Sequence, residues 1–138
     1  MKMLIAPAIA TALLMTTQSA KAQNVVKPAA MEESEPLACN RLALTPEQRK
    51  RHFDELGPAL RARKTAVREL PDGYEFQFPS DAKTFQLLTE WIDGERVCCP
   101  FFEIALRLEP QSGPVWMRLT GKNGVKEFME VEGASWLK

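Results

Sequence analysis

Cys98 and Cys99 are consecutive, and Cys39 is the third and last cysteine of the chain. Thiolates are soft donors, so a pair or trio of cysteines with no carboxylate cluster beside it selects Cu(I), Hg(II) or As(III) over Mg or Ca. Adjacent thiols at the boundary between two elements can converge on one ion. They do not readily bond to each other: consecutive Cα atoms are about 3.8 Å apart, whereas ordinary disulfides span roughly 4.4 Å or more. In an oxidising compartment the easier bond joins Cys39 to one of the pair and leaves one thiol over. Cys98, Cys99 and Cys39 are therefore the expected metal ligands, and no catalytic residue is indicated. Zinc would need a fourth ligand. His52, the single histidine, is the available one, but it lies in a helical pattern whose buried position is its neighbour Phe53.

Two other readings of the cysteines stay open. A domain of this length buries about two-thirds of its unfolded surface and needs no staple, so the cysteines can be simple packing residues or one plain disulfide. The chain is then a non-catalytic interaction module. Alternatively, Cys99-Pro100-Phe101-Phe102 resembles the Cys-Pro-aromatic motif of glutaredoxins without its second cysteine, which points to a thiol-disulfide oxidoreductase. The context opposes that: glutaredoxin thiols sit at a helix N-terminus, where the dipole stabilises a thiolate, whereas here a helix precedes the cysteines and a strand follows.

Little else carries chemistry. Gly121-Lys122-Asn123-Gly124 lacks the full phosphate-binding signature and reads as a strand-to-helix turn. Asp93, Glu95 and Glu103 have no spacing that singles out an acid/base pair. Trp91, Trp116 and Trp136 read as packing and edge residues. Trp116 faces opposite to Met117 and is expected to be exposed, at an interface or beneath the last helix.

The elements that position the cysteines follow from periodicity. Thr45-Pro46-Glu47-Gln48 is a helix start, with a Thr cap, Pro at the first helical position and Gln placed to reach back. Phe53, Leu56 and Leu60 form that helix's buried stripe, and Gly57-Pro58 should kink or divide it. Val67 to Leu70 and Tyr74 to Phe78 read as strands around Pro71-Asp72-Gly73. A second helix starts near Ser80 as its cap, buries Phe85, Leu88, Trp91 and Ile92, and ends around Glu95 to Cys98. Phe102, Ile104, Leu106 and Leu108 then alternate with charged residues, a strand with one wet face. Val115, Met117 and Leu119 repeat the pattern, and a last short helix turns Val125, Phe128 and Met129 inward. The order helix, hairpin, helix, hairpin, helix predicts an α+β domain: a four-stranded antiparallel sheet with helices packed on one face.

Residues 1–22 read as a cleavable signal peptide, with basic Lys2, an apolar stretch from Met3 to Met15, and Ala20-Lys21-Ala22 as the small-x-small cleavage site. The stretch is shorter than the about 20 apolar residues a membrane span needs, so no membrane insertion is expected after cleavage. Residues 23–36, with Pro28, Pro36 and an acidic cluster, read as a flexible lead-in, and 37–138 as a single domain in the periplasm or outside the cell. Eighteen basic residues balance eighteen acidic ones, and loss of Lys2 and Lys21 tips the mature chain to the acidic side. A nucleic-acid partner, which requires a clearly basic surface, is excluded. The remaining partners are a metal ion or another protein.

Ala38-Cys39-Asn40, LALTPEQR from Leu42, ELPDGYEFQFP from Glu69, ERVCCPFF from Glu95, GPVWMRLTG from Gly113 and GVKEF from Gly124 together resemble a family of small, uncharacterised bacterial proteins. Its members share an early cysteine and a Glu-Arg-x-Cys-Cys-Pro-Phe segment. The likeness runs from about Leu37 to Phe128. It brings no established activity, but its cysteine layout maps onto Cys39, Cys98 and Cys99, and the adjacent pair is similar to that of mercury-handling membrane proteins. The expected function is an exported scavenger or carrier that holds a thiophilic metal or metalloid ion, not a catalyst.

Overall fold

A computed structural model describes residues 37–138; the expected signal peptide and lead-in lie outside the described residues. After a 3-10 turn at Arg41–Ala43 come α1 (Pro46–Lys50), a π-helical turn (Arg51–Leu56), α2 (Gly57–Arg63), β1 (Ala66–Leu70), β2 (Gly73–Phe78) and α3 (Ala82–Cys98). They are followed by β3 (Glu103–Leu108), β4 (Val115–Thr120), α4 (Val125–Val131) and α5 (Ala134–Leu137). The four strands form one antiparallel sheet in the order β1-β2-β4-β3. This is the α+β arrangement that the periodicity implies.

Local signals explain most of the boundaries. Thr45 and Gln48 form the reciprocal capping box, Gln48 N–H donating to Thr45 Oγ1 and Thr45 N–H to Gln48 Oε1. α3 is capped by Asp81, one residue later than the expected Ser80. Its Oδ1 accepts from Thr84 N–H at 3.0 Å while Arg63 donates to Oδ2, so the cap also ties α2 to α3. A carboxylate at this position accepts both bonds at once, which a serine hydroxyl cannot do with equal strength. The β1–β2 turn needs Gly73, because a side chain there would run into the Leu119 carbonyl of β4.

The core lies between the sheet and the helices. Phe76, Phe78, Val115, Met117 and Leu119 from β2 and β4 pack against Leu56, Leu60, Leu88 and Trp91. The pattern fails at one end of β3, where Leu108 is 60% exposed. β3 is an edge strand, and its last residue pairs with Val115 at the far end of the ladder. On the sheet's other face Trp116 is buried, contrary to expectation. The guanidinium of Arg68 lies 4.4 Å from the centroid of its ring and that of Arg107 5.6 Å. Its indole N–H donates to Glu109 Oε1 at 2.8 Å. Long charged side chains from neighbouring strands cover the ring with their stems. Glu75, also buried, pairs with Arg68 and Arg118 beside it.

Candidate functional site

The end of α3 carries the site. Cys98 is the helix's last residue and Cys99 its C-cap, the Cys99 N–H still donating to the Glu95 carbonyl at 2.7 Å. The segment before the 3-10 turn crosses this end: Asn40 N–H donates to the Cys98 carbonyl at 2.7 Å. That bond brings Cys39 beside Cys99, and the two form a disulfide with Cα atoms 4.5 Å apart. The third cysteine, Cys98, is free and fully buried. The result is one cross-link and one spare thiol. Cys98, Cys99 and Leu44 make a small core of their own, flanked by Phe53, Phe101 and Phe102.

His52 belongs to this site, and the expectation that set it aside is corrected. Between α1 and α2 the backbone widens into a π-helical turn, with Gly57 N–H bonded to the His52 carbonyl five residues back. The wider turn shifts the buried face by one position. His52, Leu56 and Leu60 are buried, while Phe53 moves to the rim under the Arg41 guanidinium, 3.9 Å from its ring centroid. Arg51 fixes the turn against α3 through paired bonds to Glu90, each 2.7 Å. The imidazole stacks on Trp91 with centroids 5.5 Å apart and planes 13° from parallel. Its Nε2 donates to Glu95 Oε2 at 2.8 Å, and Nδ1, also buried, has no hydrogen-bond partner.

No acid/base spacing marks Glu95 in the sequence, yet the structure places it in the site. The signal available was its position three residues before Cys98, which places both on one face of α3. Cys98 Sγ lies 3.8 Å from Glu95 Oε2, 4.0 Å from His52 Nε2 and 3.5 Å from Cys99 Sγ. Burial first, and then the Glu95 carboxylate, push the Cys98 thiol up to about 12. It is therefore a neutral thiol, not an activated nucleophile, as a position at a helix C-terminus implies.

Two overlapping donor sets result: Cys39, Cys98 and Cys99, and His52, Glu95 and Cys98. In each, the donor atoms lie within 4.8 Å of one another. A cluster of this composition can hold a metal ion. Cys39, Cys99, His52 and Glu95 line a cleft of about 410 Å³, with Arg41 and Arg61 among its walls. Among the described residues no helix is long and apolar enough to cross a membrane. Comparison with known proteins adds no relative: no family model, no curated protein and no solved structure matches the chain.

Proposed function

We propose that this is an exported thiol protein that takes up one soft metal or metalloid ion on Cys39, Cys98 and Cys99 and acts as a scavenger or carrier. The observation that carries the reading is the convergence of all three sulfurs within 4.8 Å of one another, Cys39 and Cys99 at the wall of the cleft and Cys98 buried behind them. Three thiolates at that spacing suit Hg(II), Cu(I) or As(III). Uptake has a redox condition. The Cys39–Cys99 disulfide must first accept two electrons and two protons from a thiol donor, which leaves as its own disulfide. Ion binding then displaces the thiol protons, so the high affinity of Cys98 for its proton is a cost that only a strongly thiophilic ion overcomes.

The competing readings lose support. An interaction surface centred on Trp116 finds no support in a fold that buries that residue. A thiol-disulfide oxidoreductase needs an activated thiolate, and the free thiol here is held neutral. The expected export signal of residues 1–22 supports a protein working outside the cytoplasm, and the resemblance to small bacterial proteins with an early cysteine and a vicinal pair supports the three cysteines as one set.

Native mass spectrometry of the mature chain, before and after reduction and exposure to Hg(II), Cu(I), As(III) and Zn(II), tests the proposal. One soft ion per chain after reduction, lost when Cys98 and Cys99 are both replaced by Ser, is the expected result. No uptake by the reduced, folded protein, or uptake that persists in the double variant, overturns it.

A further inference from the structure

The second donor set requires no reduction. We infer that His52 Nε2, Glu95 Oε2 and Cys98 Sγ form a separate site for a borderline divalent ion of the Zn(II) or Co(II) class, available while the Cys39–Cys99 disulfide is intact. The two sites share Cys98, so they exclude each other. This one does not depend on the soft-ion reading.

Geometry is the first argument. Zinc bonds of about 2.0 Å to nitrogen and oxygen and about 2.3 Å to sulfur, at tetrahedral angles, require donors about 3.3 to 3.6 Å apart. The three edges here are 2.8 Å (N to O), 4.0 Å (N to S) and 3.8 Å (S to O). Each edge is within about half an ångström of the tetrahedral range, a shift that side-chain rotation supplies. The donors also sit on well-fixed elements, Glu95 and Cys98 on the last turn of α3 and His52 on the π-helical turn. The stack on Trp91 and the bare backbone of Gly94 fix the plane of the ring.

Chemistry is the second. Nitrogen, oxygen and sulfur donors mixed in one site suit a borderline ion better than a soft one. Entry of the ion displaces the Cys98 thiol proton to solvent and moves the ring proton from Nε2 to Nδ1, the atom that has no partner now. One proton leaves per ion. Because His52 and Glu95 also line the cleft, a fourth ligand reaches the ion from outside the protein, the pattern of a zinc site with one open position.

The test uses the disulfide-intact protein, recognised by a mass two hydrogens below that of the reduced chain, titrated with Co(II) and then with Zn(II). The expected result is one Co(II) per chain, with sulfur-to-cobalt charge transfer and tetrahedral ligand-field bands that Zn(II) abolishes. His52→Asn and Glu95→Gln should each weaken binding at least tenfold, and Cys98→Ser should remove the charge-transfer band, circular dichroism confirming that each variant is folded. A Cys39→Ser/Cys99→Ser double variant should keep the cobalt spectrum while losing the three-sulfur site for Hg(II). Absence of cobalt binding by the folded, disulfide-intact protein overturns the inference, as does binding unchanged in both His52→Asn and Glu95→Gln. Either result leaves soft-ion uptake by the reduced protein as a separate question.

Discussion

Gly94 of α3 presents bare backbone to the ring of His52: a Cβ built there would lie 2.6 Å from Nδ1 and 3.2 Å from Cγ and Cε1. In an exposed helix interior, Gly→Ala stabilises by about 1 kcal/mol. Here the sign reverses, because the obstructed atoms belong to a rigid ring held between Trp91 and Phe53. Gly94→Ala should destabilise by about 1–3 kcal/mol, the usual cost of overpacking. It should also weaken Co(II) binding by the oxidised protein more than Hg(II) binding by the reduced one. Urea unfolding and the two metal titrations check this together.

The buried Cys98 thiol gives a pH signature. Its native affinity for the proton corresponds to about 12, against an ordinary value of 9.0. Above about pH 9 the unfolded chain gives up this proton and the native chain keeps it. Stability therefore falls as pH rises from about 9 toward about 12, by about 1.4 kcal/mol per unit from this one group. Alkylation of the native protein should show no modified Cys98 near neutral pH on a timescale that labels it fully in denaturant. The native labelling rate should keep climbing about tenfold per pH unit beyond pH 9, where an exposed thiol levels off. A plateau near pH 9 would mean that Cys98 is not held as described.

Disulfide reduction is the step that the soft-ion function requires, and its energetic consequence can be stated. Cys39 and Cys99 are 60 residues apart, and closing a loop of that length in the unfolded chain corresponds to about 4 kcal/mol in the chain-entropy treatment. Reduction, or Cys39→Ser, should lower the unfolding free energy by up to that amount. It should also steepen the urea dependence, because the unfolded ensemble expands. The main core, which runs from Leu56 to Met129, contains neither Cys39 nor Cys99, so the reduced protein should keep its far-ultraviolet circular dichroism. A reduced chain that unfolds outright at room temperature would leave the sulfur trio with no scaffold and count against the carrier reading.

The sequence makes the sheet and its helices legible because β2, β3 and β4 alternate and Thr45-Pro46-Glu47-Gln48 carries a complete cap. A link from Cys39 to one of the vicinal pair also follows from elementary geometry. Its choice of Cys99 does not, since that depends on the Asn40 N–H bond to the Cys98 carbonyl, a contact between segments about sixty positions apart. His52 was hidden for a different reason. A period of 3.6 allows either Phe53 or His52 to share the face of Leu56 and Leu60, and the π-helical turn, fixed by Arg51 against Glu90, is what favours His52. Glu95 stands apart from its acidic neighbours in sequence only by its place three residues before Cys98, and that spacing does not name the His52 partner that faces it.

Trp116 separates the two classes of function most directly. If the cysteines were only structural and the chain an interaction module, this indole would be its surface anchor, and Trp116→Ala would change the association state. Its ring is 5% exposed, lies between Arg68 and Arg107 and donates to Glu109. Truncation removes a buried aromatic, leaves the Glu109 carboxylate without its indole donor and uncovers the two guanidinium stems. The expected loss is about 3 kcal/mol of unfolding free energy, with an unchanged molar mass by light scattering and unchanged metal binding, since Trp116 lies on the sheet face opposite Phe76 and the helices. A shift in molar mass with little loss of stability would reverse the assignment. It would mean that the Arg68 and Arg107 side chains swing aside in solution and that this face, not the cysteine cleft, meets the protein's partner.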